Sequence, residues 1–174
     1  MRTFSLRGKF TVADNAIHTE RIFDYVSPDR TKGWEIDRAY FWPLTTRAEI
    51  GGSDGQYNAQ LSLGTDEMRI VGFDVLMDAT DNRLCAWGAA GFSIRNGGAN
   101  DFLAYQSLNM LAELTIDPDV IITKELHVHF QSTSESTTSP DREWCYMIIL
   151  KEKKITPVQS VFQQIKGMGQ DIDS

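Results

Sequence analysis

Residues 3–12, TFSLRGKFTV, alternate without a break. Phe4, Leu6, Phe10 and Val12 share one phase with Gly8, and Thr3, Ser5, Arg7, Lys9 and Thr11 share the other. Coiled as a helix, this segment would scatter its apolar residues around the axis. Only an extended chain gathers them on one side, so the alternation predicts a half-buried strand. The same rhythm recurs along the chain. Residues 17–26 predict a second strand with Ile17, Phe23 and Tyr25 in phase, and SPDRTKG follows as a loop. Residues 34–44 predict a third, with Trp34, Ile36, Tyr40 and Trp42 together and Pro43 ending the ladder. Further strands are expected at 59–63, 68–77 with a bulge at Gly72, 84–95, 120–130 and 144–155. The 84–95 segment is apolar on both faces, as suits a central strand. GGSDGQ (51–56), ATDNR, NGGAN (96–100), IDPD (116–119) and the polar QSTSESTTSPD (131–141) read as turns and loops. Residues 101–116 fit either state. Asn100 or Asp101 would cap a helix, whereas Phe102, Ala104, Leu108, Met110, Ala112 and Leu114 alternate as a strand does. The strands on either side favour strand.

The period changes once. In TPVQSVFQQIKGMG, Thr156 is placed as an N-cap, Pro157 at the first helical position, and Gln159 to complete a capping box. Val158, Phe162 and Ile165 follow at i, i+4 and i+7, and Gly167 or Gly169 closes the segment. Eight or nine strands and one short C-terminal amphipathic helix make an all-β antiparallel sandwich or barrel. Residues 1–155 form the sandwich domain. Residues 156–174, the helix and tail, are expected to pack on that domain or on a neighbouring subunit.

A chain of 174 residues buries about 70% of its unfolded surface, enough for a core without staples. Two cysteines cannot form a disulfide framework, and the apolar neighbours of Cys85 and Cys145 suggest two buried thiols. A net charge of −7 argues against a general nucleic-acid binder. Charge is uneven, however: residues 1–47 hold 8 basic and 6 acidic residues, while residues 48–174 carry a net −9. Arg2, Arg7 and Lys9 of the first strand, with KEKK (151–154), would make a small basic face or an ordinary solvated one. The sequence has no run of about 18 apolar residues to span a membrane, and MRTFSLRGKFTV lacks the apolar core of a signal peptide.

Three constellations bear on chemistry. His127 and His129 lie two apart on a strand, so both imidazoles point the same way, with Glu125 beside them. The pair is similar to the HxH of the cupins, which are jelly-roll barrels that bind metal. The sequence departs from that pattern. The nearest downstream acid, Glu135, lies six residues on in a polar loop, the expected preceding glycines are absent, and the third histidine would have to be His18. Two polar residues on a solvated strand face is the simpler reading. Trp34, Tyr40 and Trp42, with Phe41 opposite, would offer a flat row for stacking on sugar rings, or else build the core; core is favoured. Nucleophilic and phosphate chemistry have no support: there is no GxSxG elbow, since GGSDG (51–55) lacks the spacing, and no phosphate-binding glycine loop. No catalytic, cofactor-binding or metal residue is assigned, and no cofactor is expected.

The last third, IDPDVIITKELHVHF and then YMIILKEKKITPVQSVFQQIKGMGQDI after a polar loop, resembles the closing strands and terminal helix of single-jelly-roll coat proteins of small environmental and marine viruses. The resemblance implies eight strands in two facing sheets, with loops and terminal segments making subunit contacts. It implies a non-enzymatic, self-assembling virion component. Its partners would be copies of itself and other virion proteins, and it would be assembled in the host cytoplasm. Many such coats carry an arginine-rich arm that neutralises the genome. These residues hold none, which implies weak or no direct nucleic-acid binding, or a minor, outer-layer or membrane-covering role. A carbohydrate-binding sandwich and a cupin-like metal-dependent enzyme are the alternatives.

Overall fold

The structure, a computed structural model, describes residues 2–12, 16–25, 31–44, 55–67, 78, 80–95, 104–109, 111–134 and 142–168. These form β1 (Thr3–Val12), β2 (Ile17–Asp24), β3 (Lys32–Pro43), β4 (Gly55–Gly64), β5 (Leu84–Arg95), β6 (Ala104–Asn109), β7 (Ala112–Glu113), β8 (Thr115–Ile116), β9 (Glu125–Ser134), β10 (Arg142–Lys154) and α1 (Pro157–Met168). The strands lie in two antiparallel sheets. One has the order β1-β10-β3-β7; the other runs β2-β9-β4-β5-β6, with β8 also paired to β5.

The pairings are nested. β1 pairs with β10, β2 with β9, β3 with β7 and β4 with β5. That is one long antiparallel hairpin rolled up so that successive rungs fall alternately in two facing sheets, which is the jelly roll. The expected sandwich is therefore present, with its extra strands, β6 and β8, on the six-stranded side.

Between the sheets lies an aromatic core. Phe10 (β1), Phe41 (β3) and Trp144 (β10) meet Phe130 (β9) from the opposite sheet, at ring separations of 4.7, 6.5 and 5.1 Å respectively. Leu61, Leu63, Leu126, Val128, Ile148 and Leu150 fill the space around them. Gly8 keeps the core phase without a side chain for a reason visible across the ladder. It is paired with Tyr146, whose ring folds over it and occupies the space a Cβ would take.

Several boundaries differ from the sequence reading. β9 starts at Glu125, not Val120; of the preceding residues only Ile122 makes a bridge, to Trp34. It also runs on to Ser134, so the first residues of the expected polar loop are strand, with Gln131 and Ser132 buried. They continue the ladder because β4 supplies partners as far as Tyr57↔Ser134. Gly55 and Gln56 belong to β4 rather than to a loop because β5 pairs them with Ile94 and Ser93. The described part of 101–116 is strand apart from Leu111 and Leu114, broken into β6, β7 and β8. The 68–77 segment, the NGGAN turn, the candidate caps Asn100 and Asp101, and Glu135 lie outside the described residues.

Register shifts occur in several pairings, and those in β3 and β2 invert a phase that alternation predicts. β3 shifts register against β10 so that Leu150 faces Ile36 and Ile149 faces Arg38, leaving Asp37 as the extra residue. Trp34 and Ile36 point inward before the bulge; Ala39 and Phe41 point inward after it. β2 shifts between Arg21 and Phe23, so Ile17 is exposed on the outer face while Phe23 packs on the core. The expected single phases of Trp34–Trp42 and of Ile17–Tyr25 are therefore each split in two.

Candidate functional site

The capping box forms as read. Thr156 N–H donates to Gln159 Oε1 at 2.9 Å, and Gln159 N–H donates to Thr156 Oγ1 at 3.2 Å. The helix it starts sits on the sandwich the wrong way round for a globular domain. Ser160 is 2% exposed, and Gln163 Nε2 donates to the Asp119 carbonyl at 3.1 Å. The apolar stripe points away: Val158, Val161, Phe162 and Ile165 are 64%, 41%, 68% and 57% exposed. At 100° per residue, Ser160 and Gln163 lie on the side of the helix opposite the centre of that stripe. An amphipathic helix ordinarily turns its apolar face to the core; α1 turns it to solvent.

A second apolar surface lies on the outer face of the four-stranded sheet. Because of the Asp37 bulge, Tyr40 and Trp42 emerge there and not in the core. With Arg38, Pro43, Leu111, Met147 and Ile149 they line an open groove of about 660 Å³. The register sets neighbours side by side: Met147 lies between Tyr40 and Arg7, Ile149 between Arg38 and Ser5, and Cys145 between Trp42 and Lys9. Cys145 is half-buried on this outer face rather than in the core; Cys85 alone is fully buried, and neither cysteine is in a disulfide. Burial among its neighbours pushes the Cys145 thiol up from its ordinary value. Leu111 is 59% exposed at the groove's edge. Trp34 is the member of the aromatic trio that packs on the core, its ring 6.1 Å from Phe23 and 5.8 Å from Tyr25.

The lysines of the basic face expected on this sheet are largely paired in place. Lys9 pairs with Glu143 at 2.7 Å, Lys153 with Glu35 at 2.9 Å, Lys32 with Glu152 at 3.4 Å, and Lys151 with Asp37. Among the described residues, Arg7 and Arg38 have no carboxylate within ion-pair distance. Arg38 is held further in its charged form chiefly by its hydrogen bond with Tyr40.

The histidine pair lies on the outer face of the other sheet. His127 and His129 are buried, with their rings stacked 6.2 Å apart. The turn after β4 folds back over His129, and Asp66 places its carbonyl 3.2 Å from Nε2. A carbonyl only accepts, so Nε2 carries the proton and Nδ1 accepts from Thr19 Oγ1 at 3.3 Å. The neutral ring is thus satisfied at both nitrogens, and burial pulls its pKa down to about 4. His127 Nε2 lies 3.2 Å from Glu125 Oε2, and the side-chain hydrogen bond from Lys124 holds Glu125 below the usual carboxylate range. His18 cannot join them. It is paired with Phe130, on the opposite face of the strand from His127 and His129, and stacks on Phe10 at 4.9 Å. Among the described residues, no three His, Cys, Asp or Glu side chains converge as a metal site. Nor is any helix among them long and apolar enough to cross a membrane.

No protein-family description matches the chain, and no curated protein sequence does either. Solved structures similar to the chain come from viruses. They include VP1 of Trichodysplasia spinulosa-associated polyomavirus, at 7% identity and a TM-score of 0.42 over 88% of this chain and 96% of that one. Another is from Desmodium yellow mottle tymovirus, at 11% identity and a TM-score of 0.33 over 89% and 83%. A third is from Mud crab tombus-like virus, at 9% identity and a TM-score of 0.27 over 90% and 92%.

Proposed function

We propose that this chain is a non-enzymatic structural protein that assembles with copies of itself as a component of a virion shell. The jelly roll alone does not select this reading, because shells, lectins and cupins all use it. The observation that carries it is α1: a helix anchored by its polar side, with four apolar side chains in solvent, is the arrangement expected of one half of an interface. Water contact with Val158, Val161, Phe162 and Ile165 is relieved when another surface covers them. The open apolar groove on the four-stranded sheet adds a second such surface to the same molecule. The last-third resemblance to small-virus coat proteins points the same way.

The test is direct. Purified full-length protein at micromolar concentration should give symmetric oligomers or particles by light scattering and negative-stain electron microscopy. A strict monomer up to millimolar concentration sinks the proposal.

A second reading rests on the outward turn of Tyr40 and Trp42, which offers rings for stacking on a sugar. Among the described residues lining that groove, only Arg38 carries a charge and only Tyr40 and Trp42 have another polar side-chain atom, a thin set for hydroxyl recognition. Quenching or a blue shift of tryptophan fluorescence on adding glycans to the monomer would favour it.

A further inference from the structure

We infer that the groove on the four-stranded sheet receives the α1 helix of a second copy, in a head-to-tail contact. This rests on the self-assembly reading and names the two surfaces that would carry it. The occupant must match an open, apolar trough bordered by two guanidinium groups, Arg7 and Arg38, that have no carboxylate within ion-pair distance among the described residues. Val158, Val161, Phe162 and Ile165 present a stripe about 10 Å long, seven residues at the helical rise. Trp42, Tyr40, Met147, Ile149 and Leu111 present the complementary apolar floor and wall.

Charge agrees. The sequence after the stripe, from Lys166 to Ser174, carries Asp171 and Asp173 against one base, Lys166, while Arg7 and Arg38 border the groove with no carboxylate within ion-pair distance among the described residues. The chain's own helix does not fill its own groove. β10 carries Met147 past the groove and runs seven more residues, roughly 23 Å, before it ends at Lys154. Beyond that point α1 is fastened to the 118–119 turn by the Gln163 bond.

The two surfaces differ, so the contact is heterologous: each copy donates a helix on one side and accepts one on another. Such contacts propagate into rings or open filaments and do not stop at a dimer.

Three proteins test it: Phe162→Asp, Trp42→Asp and an equimolar mixture of the two. Both altered residues lie outside the core, and circular dichroism establishes that each variant is folded. Each variant alone should sediment as a monomer where the parent assembles. The mixture should give 1:1 dimers and nothing larger, because one intact helix and one intact groove remain. Assembly by Trp42→Asp alone would mean that helices pair with helices, and assembly by Phe162→Asp alone that sheets pair with sheets; either overturns the inference. If both stay monomeric and the mixture shows no dimer, it is overturned too. If the unaltered protein never assembles, it is the self-assembly reading that fails.

A covalent readout avoids dependence on the aspartate variants. Cys145 lies beside Trp42 on the groove face. Mild oxidation of Phe162→Cys should therefore give intermolecular disulfide-linked ladders, abolished by adding Cys145→Ser. Ladders that persist without Cys145 refute the placement.

Discussion

His129 shows what a single side chain contributes when its surroundings admit one protonation state. Its ring is fully enclosed, its two nitrogens are satisfied in the neutral form, and its pKa falls to about 4. The ordinary value is near 6.5, so between these two the unfolded chain binds a proton that the folded chain refuses. Stability attributable to this group is complete above pH 6.5 and is lost as pH falls toward 4, by on the order of 3 kcal/mol. Urea midpoints at pH 7.5 and 4.5 measure it: His129→Gln should lose distinctly less stability on acidification than the parent. Equal losses would mean that carboxylates account for the whole effect. The sequence placed His127 and His129 on one face, as the structure does. It could not say that the face is enclosed, because the Thr65–Asp66 turn that covers His129 comes from 63 residues away.

At the scale of the element, the legible features were those generated by neighbours in the chain. β1, β5 and the capping box of α1 appear at the residues where alternation and spacing put them. Thr156→Ala removes a local device and should cost about 1 kcal/mol, confined to α1. Amide exchange in the helix should quicken roughly fivefold while β10 stays unchanged; a global loss of protection would contradict a locally held helix. The failures have one cause. A bulge adds a residue to one strand without any mark in composition, and everything after it changes face. Asp37 is such a residue, which is why Tyr40 and Trp42 belong to the surface and Phe41 to the core. Pairing partners also decide length: Gln131–Ser134 are polar and still extend β9, since β4 lies alongside.

Viewed whole, the molecule is an acidic sandwich whose outward lysines on the four-stranded sheet are already matched to acids on neighbouring strands. With a net charge of −7 and those pairs closed, it should not be retained by heparin or by single-stranded DNA at 150 mM salt. Particles should show no excess absorbance at 260 nm, and co-purifying nucleic acid would contradict this charge argument. By itself the sequence determined that this is a strand protein with one capped helix. Alternation, turn residues and caps are local, and a pleated or helical backbone converts them to faces directly. Only the tertiary structure decided which of those faces are inside. It split the aromatic row at Asp37, set His18 apart from the other two histidines, and turned the apolar stripe of α1 away from its own sheets. Each of these depends on what lies opposite in space, and the spacing of residues along the chain does not record that.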